Sequence, residues 1–65
     1  MNAKDRKRRR RSLIREHGPV CQLCRKSFPP AELTLDHIVP RSQNGANALY
    51  NLRLACYPCN YGRHH

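Results

Sequence analysis

Two short stretches of the chain alternate apolar and polar side chains, a pattern typical of a half-buried β-strand. Residues 32–39 place Leu33 and Leu35 on one face, and a proline ends the pattern. Residues 51–55 alternate in the same way. We therefore predict two short strands, which can pair as an antiparallel sheet.

The N-terminal segment, residues 1–17, is polar and basic, with few large apolar side chains. Arginine and lysine favour helix, so we predict one over residues 5–16, although like charges on successive turns oppose it in isolation. We expect its first half to fray, and Leu13 and Ile14 to dock its last turn on the core. The alternative is a disordered tail, because runs of like charge are often disordered.

The remaining segments carry turn signals. A Pro-Pro pair excludes regular helix and central strand from residues 25–31, and Asn44-Gly45 marks a turn within the polar loop 41–48. Pro58 suits the first turn of a helix, so we predict that a short helix begins within residues 60–65. The whole pattern predicts a small α+β domain.

Length and composition call for an additional source of stability. Apolar residues make up 38% of the 65 residues, with one Phe and no Trp, so a single domain of this size has a thin core. Four cysteines fit that need, either as two disulfides or as one metal site. No signal peptide and no membrane span is recognisable. We therefore expect an intracellular, cytoplasmic protein, where reducing conditions favour zinc over disulfides.

The cysteines form two Cys-x-x-Cys pairs, Cys21 with Cys24 and Cys56 with Cys59. Two thiolates at this spacing can hold one tetrahedral ion when the backbone between them folds into a knuckle. Zinc bound by four cysteines has no open position for water, so the predicted zinc site is structural. The spacer between the pairs is longer than the roughly 15–20 residues of a minimal two-knuckle finger.

The chain is strongly basic, with a formal net charge of +9. A polyanion, most simply nucleic acid, is the natural partner of such a chain. The alternative for the densest part of the charge is a solubilising or targeting tail. The candidate phosphate contacts are Lys7, Arg8, Arg9, Arg10, Arg11, Arg41 and Arg63.

Four further residues could carry chemistry: Asp36, His37, Asn51 and Asn60. Carboxylate and amide oxygens suit Mg²⁺ or Mn²⁺, and a neutral imidazole can take a proton from an attacking water. Each also has a plain interpretation, as a surface hydrogen-bonded pair, a turn residue or a helix cap. Strict alternation points Asp36 and His37 to opposite faces, so both serve one site only if the strand twists, bulges or ends there.

With the cysteines, these residues resemble the zinc-stapled HNH nuclease motif. The matching segments are Asp36-His37-Ile38-Val39-Pro40, Ser42-x-Asn44-Gly45, Asn51-Leu52 and Cys56-x-x-Cys59-Asn60-x-x-Arg63, preceded by Cys21-x-x-Cys24. The resemblance implies the ββα-metal fold, HNH or treble-clef-like, stapled by one four-cysteine zinc site. Here a basic N-terminal helix is added to it.

The resemblance also implies roles. His37 would be the general base, Asp36 and Asn60 the ligands of a catalytic divalent ion, and the four cysteines the ligands of the structural zinc. Asn51 would hold the His37 loop and ring in place.

Three positions depart from the common pattern of the family. Asn44-Gly45 replaces a frequent Gly-Gly, Asn60 stands where His is common, and Arg63 stands where Lys is common. An oxygen ligand at Asn60 favours Mg²⁺ or Mn²⁺. His64, four residues after Asn60, would reach the metal or the phosphate, or else belong to a fraying terminus.

The sequence thus predicts a basic arm or helix, residues 1–17, before a nuclease domain, residues 18–65. The expected activity is metal-dependent nicking of DNA with low sequence specificity, and a dimer or protein partner would be needed to cut both strands. One alternative is a non-catalytic zinc module that binds DNA or RNA. Another is a structural zinc module within a larger assembly of a phage or the ribosome.

Overall fold

The structure, a computed structural model, describes residues 1–62, so the predictions for Arg63 and His64 lie outside the described residues. Along the chain the regular elements are helix α1 (Ala3–His17), strands β1 (Leu33–His37) and β2 (Leu52–Cys56), and helix α2 (Tyr57–Tyr61). The strands form a two-stranded sheet. The predicted small α+β class is confirmed.

Helix α1 begins two residues earlier than predicted because its first turn is capped. The side-chain oxygen of Asn2 accepts from the backbone N–H of Asp5, and the Asp5 carboxylate lies in the first turn, where the helix dipole favours negative charge. Gly18, at a φ of 83°, ends the helix and donates its N–H to the carbonyl of Ile14. Leu13 is buried in the core and Ile14 packs against it, as predicted.

The two strands pair antiparallel and in continuous register, from Leu33 opposite Cys56 to His37 opposite Leu52. Strand β1 is shorter than predicted, whereas β2 keeps its predicted length but begins and ends one residue later. A single 3-10 turn, Pro30–Glu32, precedes β1, and another, Leu49–Asn51, precedes β2. Each turn takes up a residue that the alternation alone assigned to a strand.

The core packs against this sheet and includes two of the cysteines. Its buried members are Leu13, Cys21, Leu33, Leu52, Leu54, Ala55 and Cys56. The apolar core and the cysteine cluster are therefore continuous, which is the arrangement expected when metal binding and folding are coupled.

Helix α2 follows β2 without a loop. It begins at Tyr57 rather than within residues 60–65, because Pro58 already occupies its first turn. Asn60 lies on this helix, which contacts both strands. Among residues 1–62, no helix has the length and apolar character needed to cross a membrane.

Candidate active site and metal centre

The four cysteines converge on one point. Their sulfur atoms all lie within 4.8 Å of one another, and the Sγ atoms of Cys24 and Cys56 are 4.0 Å apart. A tetrahedral zinc with Zn–S bonds of about 2.3 Å would hold its sulfurs roughly 3.8 Å apart. All four thiols are free of disulfides. The donor set and its spacing therefore fit one zinc ion.

The first pair sits on a tight knuckle. The backbone N–H groups of Leu23 and Cys24 both point at the Sγ of Cys21, at 3.4 Å, and Arg25 turns the chain back with a φ of 69°. This pattern of N–H groups around a sulfur stabilises a thiolate.

Gln22 joins this knuckle to the sheet. Its N–H donates to the carbonyl of Leu54 at 2.8 Å, and its side-chain oxygen accepts from the N–H of Leu54 at 2.6 Å. The second pair is placed by the sheet itself, because Cys56 ends β2 and Cys59 lies in α2. Both halves of the centre are thus fixed to one strand.

The thiols of this cluster ionise unequally. Burial raises the pKa of Cys21, but hydrogen bonds from the backbone at Cys24, Cys56 and Leu23 outweigh it and bring that pKa down to about 6. The hydrogen bond with the Cys56 side chain, together with burial, raises the pKa of Cys59 to about 12. The thiolate of Cys21 therefore forms readily, whereas that of Cys59 requires a cation beside it.

At the end of β1, His37 is fixed by an amide. Its Nε2 lies 2.8 Å from the side-chain oxygen of Asn47. An amide oxygen can only accept, so Nε2 carries the proton and the lone pair resides on Nδ1. The sequence pattern did not single out Asn47; its only signal was a polar residue in the loop between His37 and Asn51.

Asn51 fastens the segment after β1 to the same loop. Its side-chain oxygen accepts from the N–H of Val39 at 2.8 Å, and its Nδ2 donates to the carbonyls of Val39 and Ala46 at 3.1 and 2.8 Å. The side chain is buried. The resemblance assigned both the loop and the ring to Asn51, whereas the hydrogen bond to the ring comes from Asn47.

Close backbone packing shapes this loop. Asn44 takes a left-handed conformation with a φ of 65°, which asparagine tolerates. Gly45 donates to the carbonyl of Pro40, and a Cβ at Gly45 would collide with the carbonyl of Val39. The left-handed conformation therefore favours asparagine at position 44, and the close contact with Val39 requires glycine at position 45.

The side chains of Asp36, in β1, and Asn60, in α2, lie on the same face of the sheet. Asp36 is 8% exposed, and its Oδ2 accepts from Nε of Arg53, its cross-strand partner, at 2.8 Å. Asn60 donates its Nδ2 to Oγ1 of Thr34 at 2.7 Å. Because Thr34 and Asp36 are two residues apart in a strand, their side chains share a face. β1 ends at His37, so the strict alternation of side chains that separates neighbouring residues stops at this point.

Thr34 sets the orientation of the Asn60 amide. Its hydroxyl donates to the carbonyl of Ala55 at 2.8 Å, so Oγ1 receives its second hydrogen bond as an acceptor. Asn60 must therefore turn its nitrogen towards Thr34 and its oxygen away. The oxygen is the atom that a hard cation prefers.

The basic residues of α1 divide between two sides of the helix. Arg8 pairs with Asp5 at 2.8 Å, and Arg9 lies 4.0 Å from the same carboxylate. Arg10 donates to the carbonyl of Leu33 at 3.4 Å. Arg11, on α1, and Arg41, in the 3-10 turn after β1, are both exposed.

The metal centre and the candidate acid–base residues lie within one match to a known protein family. The family model for the HNH endonuclease matches residues 21–65. The matched region begins at the first cysteine and contains the metal centre, the loop and the candidate acid–base residues, whereas α1 lies before it. No curated protein matches the chain.

Proposed function

Because the chain belongs to the HNH endonuclease family, we propose that it is a metal-dependent endonuclease that hydrolyses DNA phosphodiester bonds. The family supports a nuclease-type function on nucleic acid. The observation that carries the finer proposal is the His37–Asn47 pair, at the end of the strand that also bears Asp36.

His37 acts as the general base. The hydrogen bond from Nε2 to Asn47 leaves the Nδ1 lone pair to take a proton from the attacking water. Asn51 holds the backbone that follows His37, through its contacts with Val39 and Ala46. The base therefore lies at the end of a strand, and hydrogen bonds hold both its ring and the backbone segment that follows it.

Asp36 and Asn60 are the proposed ligands of a Mg²⁺ or Mn²⁺ ion. A buried carboxylate and an oriented amide oxygen on one face are oxygen donors of the type these ions prefer. When bound, such an ion supplies positive charge next to the phosphate that accumulates negative charge. Thr34 keeps the amide oxygen of Asn60 turned away from the strand.

The cysteine centre is proposed to hold zinc in a structural role. A four-sulfur set leaves no position for water, so it takes no part in hydrolysis. Metal binding of this kind contributes about 10–16 kcal/mol of apparent free energy in zinc-finger peptides at neutral pH. In a core this small, zinc binding would contribute more to folding stability than burial of the apolar side chains does.

Binding to DNA is proposed to be electrostatic and insensitive to sequence. The exposed cations of α1 and Arg41 are suited to phosphate contacts, which position a duplex without reading bases. One active centre nicks one strand, and cutting both strands would need a dimer or a protein partner. The division into an arm, residues 1–17, and a domain, residues 18–65, stays a prediction.

Relaxation of supercoiled plasmid tests this proposal. Zinc-loaded protein is incubated with Mg²⁺, with Mn²⁺ or without added divalent ion; a chelator is avoided because it would also remove the structural zinc. A nuclease converts supercoiled DNA to the open circle only when the divalent ion is present. A non-catalytic zinc module would retard the DNA in a gel and relax none of it.

A further inference from the structure

A groove of about 320 Å³ opens between α1 and α2, and residues of β1 form its floor. This volume is at the lower end of the range for small-ligand sites, roughly 300–1,000 Å³. Its lining residues come from both helices and from β1, with cations on α1 and two tyrosines on α2. The groove therefore combines cations, phenol rings and a strand that also belongs to the candidate active site.

One wall of the groove is cationic. Arg6, Lys7 and Arg10 project from successive turns of α1 on the side that faces α2. The single carboxylate of this part of the helix, Asp5, pairs with Arg8 and Arg9 instead. The charges that line the groove thus have no acidic neighbour among its lining residues, which suits an anionic ligand.

The opposite wall is aromatic. Tyr57 and Tyr61 are one helical turn apart on α2, with ring centroids 5.7 Å apart and planes inclined by 29°. Both remain more than half exposed, at 52% and 57%. Exposed rings beside cations are the arrangement with which proteins bind single-stranded nucleic acid, because each ring offers a face to a base.

The floor joins the groove to the candidate active site. Thr34 lines the groove and accepts the hydrogen bond from Asn60. The carbonyl of Leu35, another lining residue, lies 3.4 Å from the same Asn60 nitrogen. A ligand in the groove is therefore only one side chain away from a proposed metal ligand.

We propose that this groove is a subsite for an unpaired nucleotide of the strand that is cut. Tyr57 or Tyr61 stacks on the base, and Arg6, Lys7 and Arg10 hold the adjoining phosphates. Paired bases in a duplex have their faces covered by their neighbours, so the groove selects DNA with a single-stranded segment. The inference rests on the nuclease function and adds the class of DNA structure on which it acts.

Binding measurements test the aromatic wall. Zinc-loaded protein without added divalent ion is titrated into a fluorescent oligothymidine and, separately, into a fluorescent blunt duplex. Tyr57→Leu and Tyr61→Leu should weaken binding of the single strand by roughly 5- to 150-fold, the usual effect of losing one stacked base. Duplex binding should change little. Tyr50→Leu is the matched control, because Tyr50 is 81% exposed and lies outside the groove.

The cationic wall has its own comparison. Arg6→Gln and Arg10→Gln should each reduce the salt dependence of single-strand binding, by about 0.7 in the slope of log K against log salt for each phosphate that the side chain neutralises. Arg8→Gln removes an equal charge from the side of α1 that pairs with Asp5. If Arg8→Gln lowers the slope as much as Arg6→Gln and Arg10→Gln do, the groove is not the phosphate site.

Photo-crosslinking of the unaltered protein avoids dependence on variants that fail to fold. A single strand carrying 5-iodouracil should form its adduct on Tyr57 or Tyr61. An adduct confined to other residues, or equal loss of binding for the Tyr50→Leu control, would overturn the subsite.

The subsite and the nuclease function can fail separately. Plasmid nicking combined with tyrosine-independent binding would refute the subsite alone. Tyrosine-dependent binding by a protein that cuts neither plasmid nor single-stranded DNA under any divalent ion would refute the nuclease alone.

Discussion

At the scale of single residues, the candidate site depends on which atom of a polar group is engaged. Asn47 engages Nε2 of His37, and Thr34 engages the nitrogen of Asn60. Each contact leaves the complementary atom, Nδ1 or Oδ1, directed elsewhere. The motif predicts roles for His37 and Asn60 but does not point to these two partners, because both contacts join residues ten or more positions apart.

The Asn47 contact leads to a first prediction. Asn47→Leu removes the acceptor that fixes the His37 ring and should slow single-turnover nicking by about 10²-fold, as a small misplacement of a catalytic group can. Asn47→Asp keeps an oxygen acceptor and should recover most of the rate. A purely structural role would give a loss of zinc-loaded folded protein in both variants, measured by zinc content and circular dichroism. Equal rates for Asn47→Leu and the wild type would contradict the assignment.

The Asp36–Arg53 pair leads to a second prediction. Arg53→Gln removes the cation that donates to the buried carboxylate of Asp36, and such losses cost up to about 3–5 kcal/mol in fully buried pairs. The cost is smaller here because the Arg53 side chain is 27% exposed. If Asp36 is a metal ligand, Mn²⁺ should restore the melting temperature of this variant more than it raises that of the wild type.

The double variant Asp36→Asn with Arg53→Gln is its control, since it contains neither charge. It should gain nothing from Mn²⁺. Equal stabilisation of the single and double variants would show that the ion binds elsewhere.

At the scale of elements, the pattern of apolar and polar residues predicted the strands better than the ends of the helices. Alternation predicted both strands and their pairing, and Leu13 indicated which turn of α1 docks on the core. The start of α2 was predicted too late, because Pro58 was taken as a sign of a helix yet to begin although it already lies in the first turn. The early start of α1 depends on the Asn2 cap, a signal that a window of charged residues obscured.

The loop between the strands gives a third prediction. A methyl group at Gly45 collides with the backbone carbonyl of Val39, which cannot move aside as a side chain would. Gly45→Ala should therefore displace the loop that holds His37, and nicking should fall while zinc content is retained.

Gly18→Ala is the matched control for this prediction. Its φ of 83° is strained for alanine, but the nearest atom to the added Cβ is 4.0 Å away. Gly18→Ala should lower the melting temperature of the protein, because the strain falls at the end of α1. It should leave the nicking rate of the folded fraction unchanged. The loop would have no role in catalysis if the two substitutions affected the rate equally.

At the scale of the whole molecule, the metal centre and the core are one structure. Cys21 and Cys56 are buried among the apolar residues, and Gln22 ties the knuckle directly to Leu54 in β2. The metal centre could be predicted from the sequence, because the spacing of the four cysteines is typical of a zinc site. The sequence could not predict the groove between α1 and α2, which depends on the packing of two helices from opposite ends of the described chain.

Loss of one zinc ligand is the fourth prediction. Cys56→Ser should abolish zinc binding and unfold the domain, since the remaining core is too small to stand alone. Zinc content and the far-ultraviolet circular dichroism melt measure both effects. A cooperative melt with native signal in the zinc-free variant would contradict the structural role of the metal.

A single-turnover nicking assay on supercoiled DNA decides whether His37 is the base of a nuclease. His37→Ala removes neither a cysteine nor a proposed metal ligand, so zinc content and DNA affinity should match the wild type. The rate with saturating Mg²⁺ should fall by about 10²–10⁴-fold, the usual contribution of a positioned base, and additional Mg²⁺ should not restore it. His17→Ala, an exposed histidine at the end of α1, should leave the rate unchanged. A folded, zinc-loaded His37→Ala protein that nicks at the wild-type rate would show that His37 is not the base.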